Sequence, residues 1–524
     1  MTDDIRPTPP ATGAPTIQLG RQRVPGVLFM RDKSPSSGVG YQVQDTGHGD
    51  IVHVSTDDLS QSAHIRDLLI AQIRGASRKV LFCSFLFADG DIVQALCEAA
   101  ERLQGGVYIL TALGKHLRAE VLELDDEVDA QTAKQRERAQ RHDEHLRRLA
   151  RAGAWLRSAE DCHAKFCVVD DACAIVTSAN STKEAYEINP EDGLALHQPL
   201  AAREFGRLFA HIWQQLTTLE SLPGANLDVH SLPARPSLPW HALASDGDSR
   251  AVTTLRNHET SLLEAAVQVI DRARGHLTIA TYSFMGMEDH PVGRALQRAL
   301  ARGVGIDLLV QPRNHIEAQR ASLAWLLGLA PEQVRIHGHR RTHTKSIVAD
   351  DQVVLLWTGN LDARHGWDEG IEVGVVVEDP GVAAAVGRWT RNVMRRRTDV
   401  ALNTPSVRQL AEAGFPTPLP GDWELWLPPK TATGPLMGSL ARHAVELMEA
   451  PGQQLLRSAD GLVMHIKVDA ARRRIDVQSL QQANGGGNSV ARSKGWLANS
   501  TLKIRVSPLP SAQQPARNKK RQRP

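Results

Sequence analysis

The chain is poor in cysteine. It has five among 524 residues (Cys83, Cys97, Cys162, Cys167 and Cys173), an odd number without metal-ligand spacing. Most lie inside apolar runs, which reads as small core residues and excludes a disulfide framework. No stretch approaches the roughly 18 consecutive apolar residues of a membrane span. The first residues, Met1 to Pro15, carry neither a basic start nor an apolar run, so no signal peptide is expected and the expected location is the cytoplasm. No cluster of Asp, Glu or His has obvious metal spacing, and neither a metal nor an organic cofactor is expected. With 40 Gly and 28 Pro, the chain is too poor in both to be collagen-like or wholly disordered.

What is present is a globular composition, 42% apolar and 23% charged, on a chain long enough for two to four domains. The net charge of +2 hides an asymmetry: Ala401 to Pro524 holds 17 Lys and Arg against 8 Asp and Glu, so the remainder is mildly acidic. A basic C-terminal part predicts an anionic partner, nucleic acid or a membrane surface, with a solvated basic tail as the plain alternative.

The chain says one thing twice. Arg78 to Phe87 reads as a buried strand, Ile92 to Leu103 as a helix and Val107 to Thr111 as a second strand. The same rhythm returns in His276 to Met285, Val292 to Leu300 and Ile306 to Val310, each copy following an amphipathic helix. Strand, helix, strand is a βαβ unit, so the expected fold is α/β: two duplicated lobes with mostly parallel sheets. The first copy holds extra residues around Glu120 to Arg151, a charged run expected as an exposed helical insertion. The boundaries read as an N-terminal extension, partly disordered, over 1–48; lobe one over 49–222; a proline-rich linker over 223–248; lobe two over 249–402; a basic, strand-containing C-terminal domain over 403–508; and a disordered basic tail over 509–524.

Each copy ends in one constellation. His163-Ala-Lys165 precedes Asp170 and then Thr177-Ser-Ala-Asn180; His343-Thr-Lys345 precedes Asp350 and then Trp357-Thr-Gly-Asn360. Residues two apart on a strand share a face, so each imidazole and ammonium project together. The Asp-Asp pairs suit turns into return strands that bring the Asn back beside them. Asp170 and Asp350 are open between turn residue and catalytic support. His337, His339, Arg340 and Arg341 are open between phosphate contacts and a solvated loop. Arg388, Arg391, Arg395, Arg396 and Arg397 form a candidate anion surface.

These paired motifs resemble the phospholipase D superfamily, whose signature is His-x-Lys-x4-Asp-x6-Gly-Ser-x-Asn in two copies; the likeness covers about residues 50–400. The resemblance implies that the lobes pack about a pseudo-twofold axis and share a single site. One histidine attacks phosphorus to form a phosphohistidine, and the other protonates the leaving oxygen and then activates water or an alcohol. It also implies that Glu191 and Glu372, eleven or twelve residues after each Asn, orient a histidine. Lys165, Lys345, Asn180 and Asn360, with support from Ser178 and Thr358, would hold the non-bridging oxygens without a metal. The Gly-Ser positions depart from the signature, reading Thr177-Ser178 and Trp357-Thr358; Trp357 is expected to narrow the pocket or shift the backbone.

The expected activity is a metal-independent phosphodiesterase. Nucleic acid is the favoured substrate, given the basic C-terminal region and Trp423 and Trp426, which could stack on bases or simply pack. A helicase or other protein partner belongs to that reading. A phospholipase D or phosphatidyltransferase acting on phospholipid is the alternative, and a non-catalytic nucleic-acid binder with an inert pocket is a second.

Overall fold

The structure is a computed structural model, which describes residues 16–23, 29–31, 49–56, 64–114, 116–117, 133–256, 258–313, 316–363, 367, 369–395, 400–402, 421–427, 436, 440, 445–450, 453–458, 463–469, 472–481 and 500–508. The chain divides into two compact units. One comprises Pro25–Asp126 with Ala130–Val407; the other comprises Met1–Val24, Glu127–Asp129 and Arg408–Pro524.

The larger unit contains both copies. In the first, the four-residue runs Val80–Cys83 and Phe166–Val169 are buried throughout, as strands covered on both faces must be. The intervening helix Gly90–Arg102 starts where the Asp89 carboxylate accepts from the Asp91 and Ile92 backbone N–H groups. After it, Gly105 backs onto the Arg78 carbonyl, where an added Cβ would come within 2.4 Å.

The first sheet has nine strands in the order His230–Ser231, Thr217–Ser221, Trp155–Ala159, Val107–Leu110, Val80–Cys83, Phe166–Val169, Cys173–Thr177, Asp192–Leu196, Ile51–Ser55. The second has eight: Ser245–Asp246, Ser249–Leu255, Ile371–Val377, Val353–Trp357, Ser346–Ala349, His276–Thr281, Gly305–Val310, Val334–Gly338. The duplicated α/β lobes are thus as the sequence implies, but the sheets are mixed rather than mostly parallel. Parallel pairing joins Val80–Cys83, Val107–Leu110 and Trp155–Ala159, and their counterparts in the second lobe. Crossover helices connect those parallel strands, whereas the tight Asp-Asp turns reverse the chain and force antiparallel neighbours. The register also aligns the copies residue by residue. Cys83 opposes Phe166 as Ala280 opposes Ser346, so Ser84 corresponds to Thr281.

Of the charged run in the first copy, the part from Ala133 on is a crossover helix rather than an exposed insertion; residues 120–132 lie outside the described residues. Ala133–Arg151 leads into Trp155–Ala159 as Glu317–Leu329 leads into Val334–Gly338. It buries His142, Leu146, Leu149 and Ala150, and its charges occupy the other face. His142 is locked in place: its Nδ1 accepts from the Phe87 N–H at 2.9 Å and its Nε2 donates to the Ala112 carbonyl at 3.0 Å.

Each lobe has its own apolar core, and a third is shared. Val168, Val176 and Leu194 of the first sheet pack with Val354, Leu356, Val373 and Val375 of the second. The helix Pro199–His211 reaches the strand Ser249–Leu255, and Pro380–Arg395 reaches Ile51–Ser55, so the lobes exchange helices over their outer strands. Phe29–Arg31 pairs with Val400–Leu402, and Phe29 is buried in the second-lobe core.

The other unit is a closed seven-stranded barrel. Thr16–Arg23, read from sequence as part of an extension, pairs in parallel with both Val445–Ala450 and Ser500–Pro508. Trp423 is core, packed with Leu425, Leu456 and Ile466, which decides between its two readings in favour of packing. Trp426 lies under the Arg474 guanidinium at 4.0 Å. The tail 509–524 lies outside the described residues.

Candidate active site

His163 stands just before the strand Phe166–Val169 and His343 just before Ser346–Ala349. The structure joins each to the opposite lobe. His163 Nδ1 is 2.9 Å from Glu372 Oε1, and His343 Nδ1 is 2.9 and 3.1 Å from the two oxygens of Glu191. The backbone repeats the crossing: the His163 N–H donates to the Ile371 carbonyl and the His343 N–H to that of Pro190, both at 3.1 Å. A carboxylate accepting at Nδ1 fixes the tautomer and leaves Nε2 as the free base.

Each glutamate is held in its own lobe by a hydroxyl. Ser178 Oγ donates to Glu191 at 2.5 Å, and Thr358 Oγ1 donates to Glu372. Asp192 N–H and Val373 N–H in turn donate to those hydroxyls at 3.0 Å. Ser178 and Thr358 therefore support the glutamates. Both carboxyls sit below the usual range: burial alone would raise them, but the facing histidines and lysines outweigh it.

Lys165 and Lys345 are fully buried, and each Nζ donates to the carbonyl of its own motif histidine at 2.6 Å. Burial lowers both; Lys345 falls to about 7, with Lys165 adding repulsion and Glu191 and Glu372 opposing. His163 falls to about 4, mainly through burial and then Lys165, against Glu372. His343 is lowered by burial against Glu191. Each histidine also feels the other lobe's lysine, as one shared site requires. The rings remain 20% and 16% exposed. Asn180 Oδ1 and Asn360 Oδ1 are buried without a hydrogen-bond partner among the described residues.

Other expected residues go elsewhere. Asp170 and Asp350 lie at the far ends of their strands, at φ 55° and 54°. Asp170 accepts from the backbone N–H groups of Ser77, Arg78 and Lys79, and Asp350 from those of Arg274, Gly275 and His276, at 2.5–2.9 Å. Burial works against their charge, but these donors keep both carboxyls low; they are turn staples. Arg391 is gripped by Asp351 through two bonds of 3.0 and 2.9 Å. Arg388 and Arg395 are exposed on the helix Pro380–Arg395, whereas Arg396 and Arg397 lie outside the described residues. His337 faces Asp307 at 3.9 Å, the buried His339 accepts from the Arg341 N–H, and Arg340 and Arg341 are exposed.

Trp357 does not narrow the site. Its side chain enters the second-lobe core beside Trp367, with ring centres 6.1 Å apart. The strand opposite supplies the room: Gly374 pairs with Trp357, and a Cβ there would meet the tryptophan Cβ at 2.9 Å. Thr177 and Gly193 repeat the arrangement in the first lobe.

Sequence reasoning missed the groups that break the twofold. Asp192 is buried, accepts from Thr344 Oγ1, and is pushed up to about 7 by burial, with Glu191 adding to the shift. The corresponding residues, Val373 and Ala164, are apolar. The Tyr282 ring stands edge-on to His343 at 5.4 Å with the Arg313 guanidinium 4.8 Å above it. The signal for Asp192 was an acid opening the otherwise apolar strand Asp192–Leu196. Among the described residues, no group of three or more His, Cys, Asp or Glu is arranged to hold a metal ion.

Residues 69–213 and 266–394, one stretch from each lobe, match the family described as cardiolipin synthase, PLD-like domain. Among curated proteins, cardiolipin synthase A of Pectobacterium carotovorum subsp. carotovorum (strain PC1) is 30% identical over 126 residues, 24% of this chain and 25% of that protein. The Proteus mirabilis (strain HI4320) cardiolipin synthase A is 26% identical over 148 residues, 28% of this chain and 30% of that protein. The chain thus aligns with between a quarter and a third of the length of these relatives. Among solved structures, phosphatidylserine synthase from Haemophilus influenzae Rd KW20 superposes with a TM-score of 0.46 at 15% identity, covering 68% of this chain and 88% of that one. Nuc, a phospholipase D family member from Salmonella typhimurium, has a TM-score of 0.24 at 21% identity, covering 32% of this chain and 96% of that one.

Proposed function

Since the chain belongs to the phospholipase D superfamily, through the cardiolipin synthase PLD-like domain that matches both its lobes, we propose that it is a phosphatidyltransferase, which moves the phosphatidyl group of a glycerophospholipid onto an alcohol. The observation that carries this substrate class is the two-lobe match. The nucleic-acid reading, drawn from the basic C-terminal region and two tryptophans, has no comparable support, and Trp423, one of the two, is barrel core.

The site supports a two-step displacement. A phosphodiester is an anion that repels hydroxide, whereas a neutral imidazole can attack it. Burial keeps His163 neutral to about pH 4, and with Nδ1 bound to Glu372 its Nε2 lone pair is available to phosphorus. The P–O bond to the departing alcohol breaks as the P–N bond forms, and His343 gives its proton to the alkoxide. The second alcohol then returns a proton to His343 as its oxygen attacks phosphorus, and the P–N bond breaks.

The division of labour follows from the broken symmetry. His343 has Glu191 on its ring and Asp192 on the adjoining Thr344; His163 has Glu372 alone. Glu191 favours a proton on His343, and Asp192, raised to about 7, adds negative charge beside it only as it ionises; a bound anionic substrate favours that proton further. Lys165, Lys345 and the two asparagines hold the non-bridging oxygens, an arrangement worth about 10²–10³ in rate per donor.

The test uses the full chain with phosphatidylglycerol vesicles, and in parallel single- and double-stranded DNA, all in EDTA. Glycerol release with a diphosphatidyl product, and intact DNA, is the expected result. DNA cleavage without lipid turnover would overturn the reading. A quenched reaction should carry the phosphatidyl group on the peptide containing His163; the same adduct on His343 instead would reverse the assignment.

A further inference from the structure

We propose that Cys83 and Cys162 form a reversible disulfide site beside His163, closed by peroxide and opened by thiols. Their sulfurs are 3.7 Å apart. Cys83 is buried and Cys162 half-buried. Each is tied to the motif by the backbone: Cys83 opposes Phe166 on the motif strand, and Cys162 directly precedes His163. The Cys83 S–H also donates to the Ala164 carbonyl at 3.2 Å. The second lobe has Ala280 and Thr342 at these places, so the pair belongs to one side of the site.

A disulfide needs about 2.05 Å between sulfurs, so closure requires an approach of roughly 1.7 Å. The half-buried Cys162 meets the oxidant first, since burial pushes the Cys83 thiol up and keeps it protonated. Its thiolate attacks hydrogen peroxide, breaking the O–O bond to give a sulfenic acid and hydroxide. The Cys83 sulfur then attacks the sulfenic sulfur; the S–O bond breaks, and the departing hydroxide leaves as water with the Cys83 proton. In total two thiols lose two electrons and two protons, and peroxide becomes two waters. A small thiol reverses the bond by exchange.

Closure disturbs the nucleophile because of what shares that backbone. Cys162 bridges to Ile371, the residue before Glu372, and the His163 N–H donates to the Ile371 carbonyl. Drawing Cys162 towards Cys83 moves His163 against the carboxylate that orients it.

Peroxide treatment of the full chain is expected to lower its mass by roughly 2 Da, with peptide mapping joining Cys83 to Cys162. Turnover should fall about tenfold or more and return with dithiothreitol. The variants Cys83→Ala and Cys162→Thr, which copy the second lobe, should keep basal turnover within about twofold and resist peroxide. Cys83→Ser serves if Cys83→Ala folds poorly. The proposal fails if no crosslink forms, if the crosslink joins Cys97, Cys167 or Cys173, if the crosslinked protein turns over normally, or if the variants remain peroxide-sensitive. The crosslink is read by mass, so its outcome is separate from whether phospholipid is the substrate.

Discussion

At the scale of single residues, two titrations bracket the chemistry. Free-enzyme kcat/KM should fall as pH drops towards about 4, where His163 takes a proton and loses its attacking lone pair. It should fall again as pH rises through about 7, where Lys345 loses the charge that holds the phosphate. Lys345→Arg, which stays protonated, should carry the alkaline limb up by two pH units or more ~ while lowering the maximum; an unchanged limb would assign it to another group. Glu372→Gln and Glu191→Gln should each cost about 10²-fold or more in kcat, since a misdirected tautomer leaves Nε2 unable to act. The histidines, lysines and asparagines were legible in the sequence because each occurs twice at one spacing, and the glutamates, eleven and twelve residues past their asparagines, because the family resemblance points to them. Which glutamate serves which histidine was not, since spacing ranks neighbours along the chain and the bonds run between lobes. Asp192 and Thr344 escaped for the opposite reason: nothing in the second copy repeats them.

At the scale of elements, the motif aspartates are stability devices. Asp350 is held below its ordinary range by three backbone donors that outweigh the burial cost. A depressed carboxyl stabilises the fold above its unfolded pKa, and that stability is lost as pH falls through the folded value. Asp350→Ala should therefore cost about 1–2 kcal/mol at neutral pH, a figure reduced for its partial exposure. In urea titrations the gap from the parent should shrink on acidification, and a constant gap would point to packing instead. Gly374→Ala should destabilise by about 1–3 kcal/mol through overpacking against Trp357 and Leu262. The strands and helices of both copies could be read from periodicity. The crossover role of Ala133–Arg151 could not, because its charged residues mask a narrow buried face of His142, Leu146, Leu149 and Ala150.

At the scale of the whole molecule, the core shared by the two sheets makes the lobes one cooperative body. Val176→Ala, in the first lobe, removes methyl groups packed in that common core and should cost about 2–3 kcal/mol. Hydrogen exchange should then quicken in Val353–Trp357 and Ile371–Val377 as well as in Cys173–Thr177; acceleration confined to the first lobe would show that the sheets open independently. That the chain is duplicated was plain from its sequence. That the copies bury a joint interior was not, because a strand apolar on both sides does not say what covers each face.

The crossed carboxylates also constrain how such a molecule can change by descent. After a duplication, one copy is ordinarily free to decay while its twin keeps the original task. Here a change at Glu191 cripples the imidazole of the other half, and a change at Glu372 does the same in reverse, so neither repeat holds a complete spare. The two halves can drift apart in their outer helices and even in the cysteines at their margins, yet each remains hostage to the other for the orientation of its own histidine.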